Sequence, residues 1–215
     1  MRVLDLGVRE YQAVWRLQKE LVVQRQMGYI PDTLIVVEHP PVFTLGRASR
    51  GNPEAIAGIP CVAVERGGDI TFHGPGQLVG YPIVDLRARG RDVHRFLRDL
   101  EEVLICTLRD FSLEAQRRPG LTGVWVGPRK IASLGIALSR WVSYHGFALN
   151  VSVDLSYFRL IRPCGLDGAV MTSLQELLHR EISVAEVKPW LLRRWIEIFC
   201  DEDHALEVAS VTVHY

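Results

Sequence analysis

Lysine is nearly absent from this chain. It has 215 residues and 25 basic side chains, of which only Lys19, Lys130 and Lys188 are lysines, leaving 22 arginines. Genomic base composition or adaptation to heat produces such a bias. It also leaves few places for an amine able to lose its proton, because a guanidinium stays charged in a protein. An excess of charge is missing too: 25 acidic residues balance the 25 basic ones. That argues against nucleic acid as a partner and against a basic membrane-surface helix. No apolar run approaches the roughly 20 residues that span a bilayer, and MRVLDLGVREYQ at the start has no signal-peptide apolar core. Cysteine is sparse as well. Cys61, Cys106, Cys164 and Cys200 are far apart and form no CxxC pair, so neither a structural zinc site nor a disulfide framework is expected. The expectation is a cytoplasmic protein with no membrane anchor and no metal.

What remains is ordinary for a globular protein, with 48% apolar and 23% charged residues. No repeat, linker or low-complexity tract divides the chain, so one domain over 1–215 is expected. Apolar residues at helical spacing mark residues 8–27. β-Branched runs at 33–37 and 42–45 read as strands on either side of Pro40-Pro41, and residues 47–60 as a loop. Strands are expected at 61–64 and 78–84. Asp92 is placed to cap a helix running to about residue 110. Three or four short strands follow, near 122–126, 130–138 and 142–150. Residues 152–170 look irregular, Ser183 and Glu186 form a capping box for a last helix, and 205–213 reads as an edge strand. Helices are few and do not alternate with strands. The pattern is α+β, with a mixed, mostly antiparallel sheet packed with a few helices.

Four segments stand out. The first is Arg66-Gly-Gly-Asp-Ile-Thr-Phe-His73, continuing Gly-Pro-Gly-Gln77, a shaped backbone loop that could cradle a ligand or be a long turn holding a satisfied histidine. A strand follows it, not a helix, so it fits a phosphate loop poorly. The second is Lys130-Ile-Ala-Ser-Leu-Gly135. Strand alternation puts Lys130, Ala132 and Leu134 on one face, and Lys130 is either a functional amine or a solvated edge residue. The third, His145-Gly-Phe-Ala-Leu-Asn-Val151, carries small residues suited to close packing or to the wall of an apolar tunnel. In the fourth, Ile161-Arg-Pro-Cys-Gly165, breakers flank Cys164. The other three cysteines lie in apolar strand or helix patterns and read as inert core. Cys164 is the candidate nucleophile. Its base could be a histidine, or a lysine with a lowered pKa; 34 residues separate it from Lys130, and spacing alone does not pair them.

Together with Glu38-His-Pro-Pro-Val-Phe-Thr-Leu-Gly46, these segments, in this order, resemble the lipoyl(octanoyl) transferase family over most of the chain. The resemblance implies the fold of biotin protein ligases and lipoate ligases. It implies octanoyl-acyl carrier protein as donor, a thioester on Cys164, and a lysine of a lipoyl domain or glycine cleavage H protein as acceptor. It makes Lys130 the acid/base partner, without a cofactor. It assigns substrate binding to Arg66, Gly67, Gly68, Asp69, Ile70, Thr71, Phe72 and His73, to Ser133, Leu134 and Gly135, and to Gly146, Phe147 and Ala148. An ATP-dependent lipoate or biotin ligase on the same fold is the nearest alternative, and a non-catalytic protein binding acyl carrier protein or lipoyl domains is a more distant one.

Overall fold

Alternating burial builds the molecule around one large sheet. In a computed structural model, which describes residues 1–51, 53–161 and 170–199 and the backbone of 207–210, the chain runs β1 (Arg2–Val8), α1 (Tyr11–Gln26), β2 (Thr33–Glu38), β3 (Val42–Leu45), β4 (Ala55–Ile56), β5 (Ile59–Ala63), β6 (Thr71–His73) and β7 (Gln77–Ile83). It continues through α2 (Val93–Arg109), β8 (Ala115–Arg118), β9 (Leu121–Val126), β10 (Arg129–Ser139), β11 (Val142–Asn150), α3 (Leu174–Leu178), α4 (Val184–Phe199) and β12 (Glu207–Ser210), with short 3-10 turns at Leu86–Arg89 and Leu155–Leu160. Eight strands form the main sheet in the order β12-β1-β2-β7-β11-β10-β9-β8. Its β12–β1–β2 edge is parallel and every other pairing in it is antiparallel. A second sheet, β4-β5-β3-β6, lies apart from it.

Successive residues of the central strands enter opposite cores, as a pleated strand requires. Leu34, Val36, Leu78 and Leu149 join the face covered by α2 and α4. Ile35, Val37, Val79 and Ala148 join the face covered by α1. Phe43, Phe72, Phe158 and Met171 form a third core beside the small sheet. Asp92 accepts from the Arg95 N–H at 2.9 Å and Ser183 from the Glu186 N–H at 3.2 Å, so both expected helix caps form.

Several boundaries differ from the sequence pattern. Residues 2–8 are a strand, so the first helix starts at Tyr11. The loop expected over 47–60 contains β4 and the start of β5, and β8 and α3 add elements that periodicity did not mark. These are short pieces whose stability comes from distant partners. Cys61 and Cys106, expected to be buried, are partly exposed. Cys164 and Cys200 lie outside the described residues.

Candidate active site

The glycine-rich loop is stitched down onto β10. The Gly67 N–H donates to the Ile136 carbonyl at 3.0 Å, and on its other side Arg47 and Ala48 donate to the carbonyls of Arg66 and Gly68. This approach needs Gly135, where a Cβ would stand only 2.7 Å from the Gly67 carbonyl oxygen. Buried Arg66 ties the loop to β3, donating from Nη2 to the Thr44 carbonyl and hydroxyl at 2.7 and 2.9 Å.

Between the loop, β10 and β11 lies a cavity of about 400 Å³, in the size range of small-molecule sites. Arg66, Gly67, Gly68, Asp69, Ile70, Thr71 and His73 line it, as do Lys130, Ser133, Leu134, Gly135, Gly146, Phe147 and Ala148. Phe72 does not. Its neighbours Thr71 and His73 use one face of β6, so Phe72 turns to the other, where it stacks on Tyr157 and meets Phe43 and Phe158 edge-on or tilted. The structure therefore takes Phe72 out of the cavity wall. Leu97 of α2 and Leu121 and Thr122 of β9 also line the cavity. They fall in segments without any motif, which is why sequence reading passed over them.

Lys130 is only 7% exposed, against the alternative of a solvated edge lysine. Lys19 and Lys188 are more exposed, 47% and 23% by side chain, and pair with Glu65 and Asp5 at 2.9 and 2.6 Å. The β9–β10 register slips between Lys130 and Ala132. That slip breaks the simple alternation and lets Lys130 and Ser133 line the same cavity while Ala132 enters the core. The Lys130 amine stands 5.8 Å from the centre of the Trp125 ring, within cation–π range. Its aliphatic chain crosses Gly123, where a Cβ would meet Cε at 2.5 Å.

A second polar group closes the opposite end. Tyr11 of α1, Tyr81 of β7 and His145 of β11 line the cavity there. Sequence reading missed all three as site residues, since each alone looks like a satisfied core side chain. His39 Nδ1 donates to the Arg9 carbonyl at 2.7 Å, so its Nε2 accepts from the Tyr81 hydroxyl at 2.8 Å. Burial pushes the pKa of His39 and of His145 down to about 4, and that of His73 to about 3. Burial also raises the phenols of Tyr11 and Tyr81. At neutral pH these imidazoles and phenols are uncharged and the imidazoles are weak bases, with Arg66 and the Glu65 carboxylate, 3.4 Å from His145 Nε2, as charged neighbours.

A directed chain of hydrogen bonds links the two ends. Arg66 donates to the Thr44 hydroxyl, Thr44 to His73 Nε2 (3.3 Å), His73 Nδ1 to Gln77 Oε1 (2.8 Å) and Gln77 to Asn150 Oδ1 (2.9 Å). Asn150 donates to the Thr172 carbonyl at 3.0 Å, and the Thr172 N–H to the Lys130 carbonyl at 2.9 Å. All of these polar groups are buried, and each finds a partner, as buried polar groups must. Among the described residues, no cluster of three or more His, Cys, Asp or Glu side chains could hold a metal, and no helix is long and apolar enough to cross a membrane.

The sheet arrangement, with a mainly apolar cavity and a buried amine at its wall, is that of the lipoate and biotin protein ligase fold. Solved structures with that arrangement include a lipoate-protein ligase A bound with ATP, with a TM-score of 0.75 at 17% identity over 99% of this chain and 89% of that one. The biotin protein ligase of Aquifex aeolicus gives 0.53 at 13% identity, over 92% and 68%. At such identities these likenesses concern the fold alone. Curated relatives are nearer in sequence. An octanoyltransferase of Syntrophotalea carbinolica is 48% identical over 205 residues, 92% of this chain and 97% of the relative. One of Geobacter metallireducens is 47% identical over 188 residues, 87% and 88%. The model of the lipoyl protein ligase A/B catalytic domain matches residues 10–195. The chain belongs to the octanoyltransferase family within that domain class, and is an acyltransferase.

Proposed function

We propose that this chain, as one catalytic domain over 1–215, moves an octanoyl group from octanoyl-acyl carrier protein onto Cys164. From there the group passes to a lysine of a lipoyl domain, including that of glycine cleavage H protein, in the cytoplasm. The observation that carries the reading is the buried Lys130 amine in the wall of an apolar cavity. The cavity-lining histidines, His73 and His145, are neutral and too weakly basic to activate a thiol near pH 7. That leaves the amine as the group suited to the task.

In the first half-reaction neutral Lys130 takes the Cys164 thiol proton, and the thiolate attacks the donor thioester carbonyl. The carrier's thiolate leaves and recovers that proton from the Lys130 ammonium. In the second, the acceptor amine attacks the octanoyl thioester and gives its proton to Lys130. Cys164 leaves as thiolate and an amide remains. Conversion of thioester to amide is downhill, so ATP is not required. Arg66 to Thr71 with His73, Ser133 to Gly135, and Gly146 to Ala148 hold the acyl chain. Phe72 supports the loop from behind.

Intact-protein mass spectrometry after mixing with octanoyl-acyl carrier protein tests this. One octanoyl adduct is expected, labile to hydroxylamine and absent in Cys164→Ala. An adduct surviving in that variant, or transfer that requires ATP, refutes the reading. Lys130→Arg keeps the charge but cannot shuttle the proton, and should lose about 10²–10⁴-fold in rate.

A further inference from the structure

We propose that Glu101 is a positioning residue for Lys130, acting through the backbone of Gly123. The inference rests on the reading of Lys130 as acid/base. Glu101 lies on α2 with its side chain 1% exposed, on the helix face that carries Leu100 and Leu104 into the core. A buried carboxylate is strongly disfavoured unless its oxygens are matched by donors. Here both are matched, and by different kinds of donor. Oε2 takes Arg98 Nη1 at 2.6 Å and Arg117 Nε at 3.1 Å. Oε1 takes the backbone N–H of Gly123 at 3.1 Å.

Gly123 is where both strand ladders fail. The β9–β10 register covers Val124 to Val126, and the β8–β9 register skips from Trp125 to Leu121. Gly123 enters neither, and its φ of +134° lies in a region that side-chain-bearing residues avoid. The Glu101 carboxylate thus replaces the absent strand partner and fixes the peptide at this point. Lys130 rests on it. From the position a Gly123 Cβ would take, Lys130 Cε is 2.5 Å and Nζ 3.1 Å away. Any shift of Gly123 is a shift of the surface that sets where the amine points.

Two roles for Glu101 are separable. If it only staples α2 to β8, its value lies in Arg98 and Arg117. If it positions Lys130, its value lies in Gly123. Glu101→Asp keeps the charge for the arginines but is one methylene too short to reach Gly123. Arg117→Ala breaks the staple and leaves Oε1 on Gly123. The three lysines also allow a direct reading, because [13Cε]lysine labelling gives three signals by NMR, with Lys130 assigned through Lys130→Arg. Expected for Glu101→Asp is a fall in kcat of at least about tenfold, with KM for octanoyl-acyl carrier protein within about twofold. The Lys130 signal moves while those of Lys19 and Lys188 stay. Arg117→Ala lowers Tm but leaves kcat and the Lys130 signal in place. Wild-type kcat and an unmoved Lys130 signal in Glu101→Asp overturn the proposal. So does an Arg117→Ala variant with the same loss of kcat and the same shifted signal. Should Lys130→Arg prove active, the acid/base reading falls, and the NMR arm alone still decides whether Glu101 holds Lys130.

Discussion

Substituting Gly123 by Ala puts one methyl group where the Lys130 side chain now runs. The added Cβ would lie 2.5 Å from Lys130 Cε, 2.8 Å from the Ala132 carbonyl oxygen and 3.1 Å from Nζ, against 3.4–4 Å for ordinary contact. The Ala132 carbonyl belongs to the sheet and gives little, so Lys130 must withdraw by about 1 Å. A misplacement of that size in a reacting group costs about 10²-fold, which is about 2.7 kcal/mol of barrier. Holding alanine at φ +134° adds about 1–3 kcal/mol of backbone strain. For a chain of this length that lowers Tm by roughly 2–12 °C. The assay is single-turnover acylation by octanoyl-acyl carrier protein, followed by intact mass and run well below the variant's own Tm. Gly127→Ala is the control. It sits in the same hairpin at φ +53° with no atom within 4 Å of its added Cβ, so it should lose stability but not acylation rate. A Gly123→Ala protein that acylates within about threefold of wild type refutes the reasoning, since it would mean that the amine's placement does not depend on this surface.

Other outcomes follow from the same geometry. Ala148→Leu should fill part of the cavity and move preference toward shorter acyl donors, by about 0.8 kcal/mol for each methylene excluded; unchanged relative kcat/KM across hexanoyl, octanoyl and decanoyl donors would contradict it. Phe72→Leu should lower Tm through lost ring packing while leaving KM for the octanoyl donor unchanged, and a raised KM would return Phe72 to the cavity wall. Acid should destabilise the fold well before its carboxylates titrate. His39, His73 and His145 stay neutral in the fold down to about pH 4, 3 and 4, whereas unfolded imidazoles take up protons below about 6.5. Stability from these groups is therefore complete above pH 6.5 and is lost as pH falls toward 4, by about 1.4 kcal/mol per pH unit for each imidazole. A Tm that stays flat from pH 7.5 to 5 would show that they are not buried neutral.

The parts legible in the chain itself were those with local causes. Asp92 and Ser183 cap helices through atoms three residues away, and the stripe from Phe96 to Leu104 needs only helical periodicity to find its face. The segment from Arg66 to Gln77 marks itself by its glycines. The family resemblance likewise depends on residue order alone. Beyond that reach lay whatever distant strands decide. The segment Arg2–Val8 is a strand because parallel partners at residues 33–38 and 207–210 flank it. Phe72 leaves the cavity because β6 alternates about a sheet whose position sequence does not state. The far end of the cavity draws Tyr11, Tyr81 and His145 from three separate elements. Composition singled out Lys130 as a rare amine, but could not say whether water or protein surrounds it. That was decided by a register slip in β10, a bare Cα at Gly123 and a carboxylate 29 residues upstream on α2, because burial and orientation belong to contacts between segments, while residue type and periodicity belong to the segment alone.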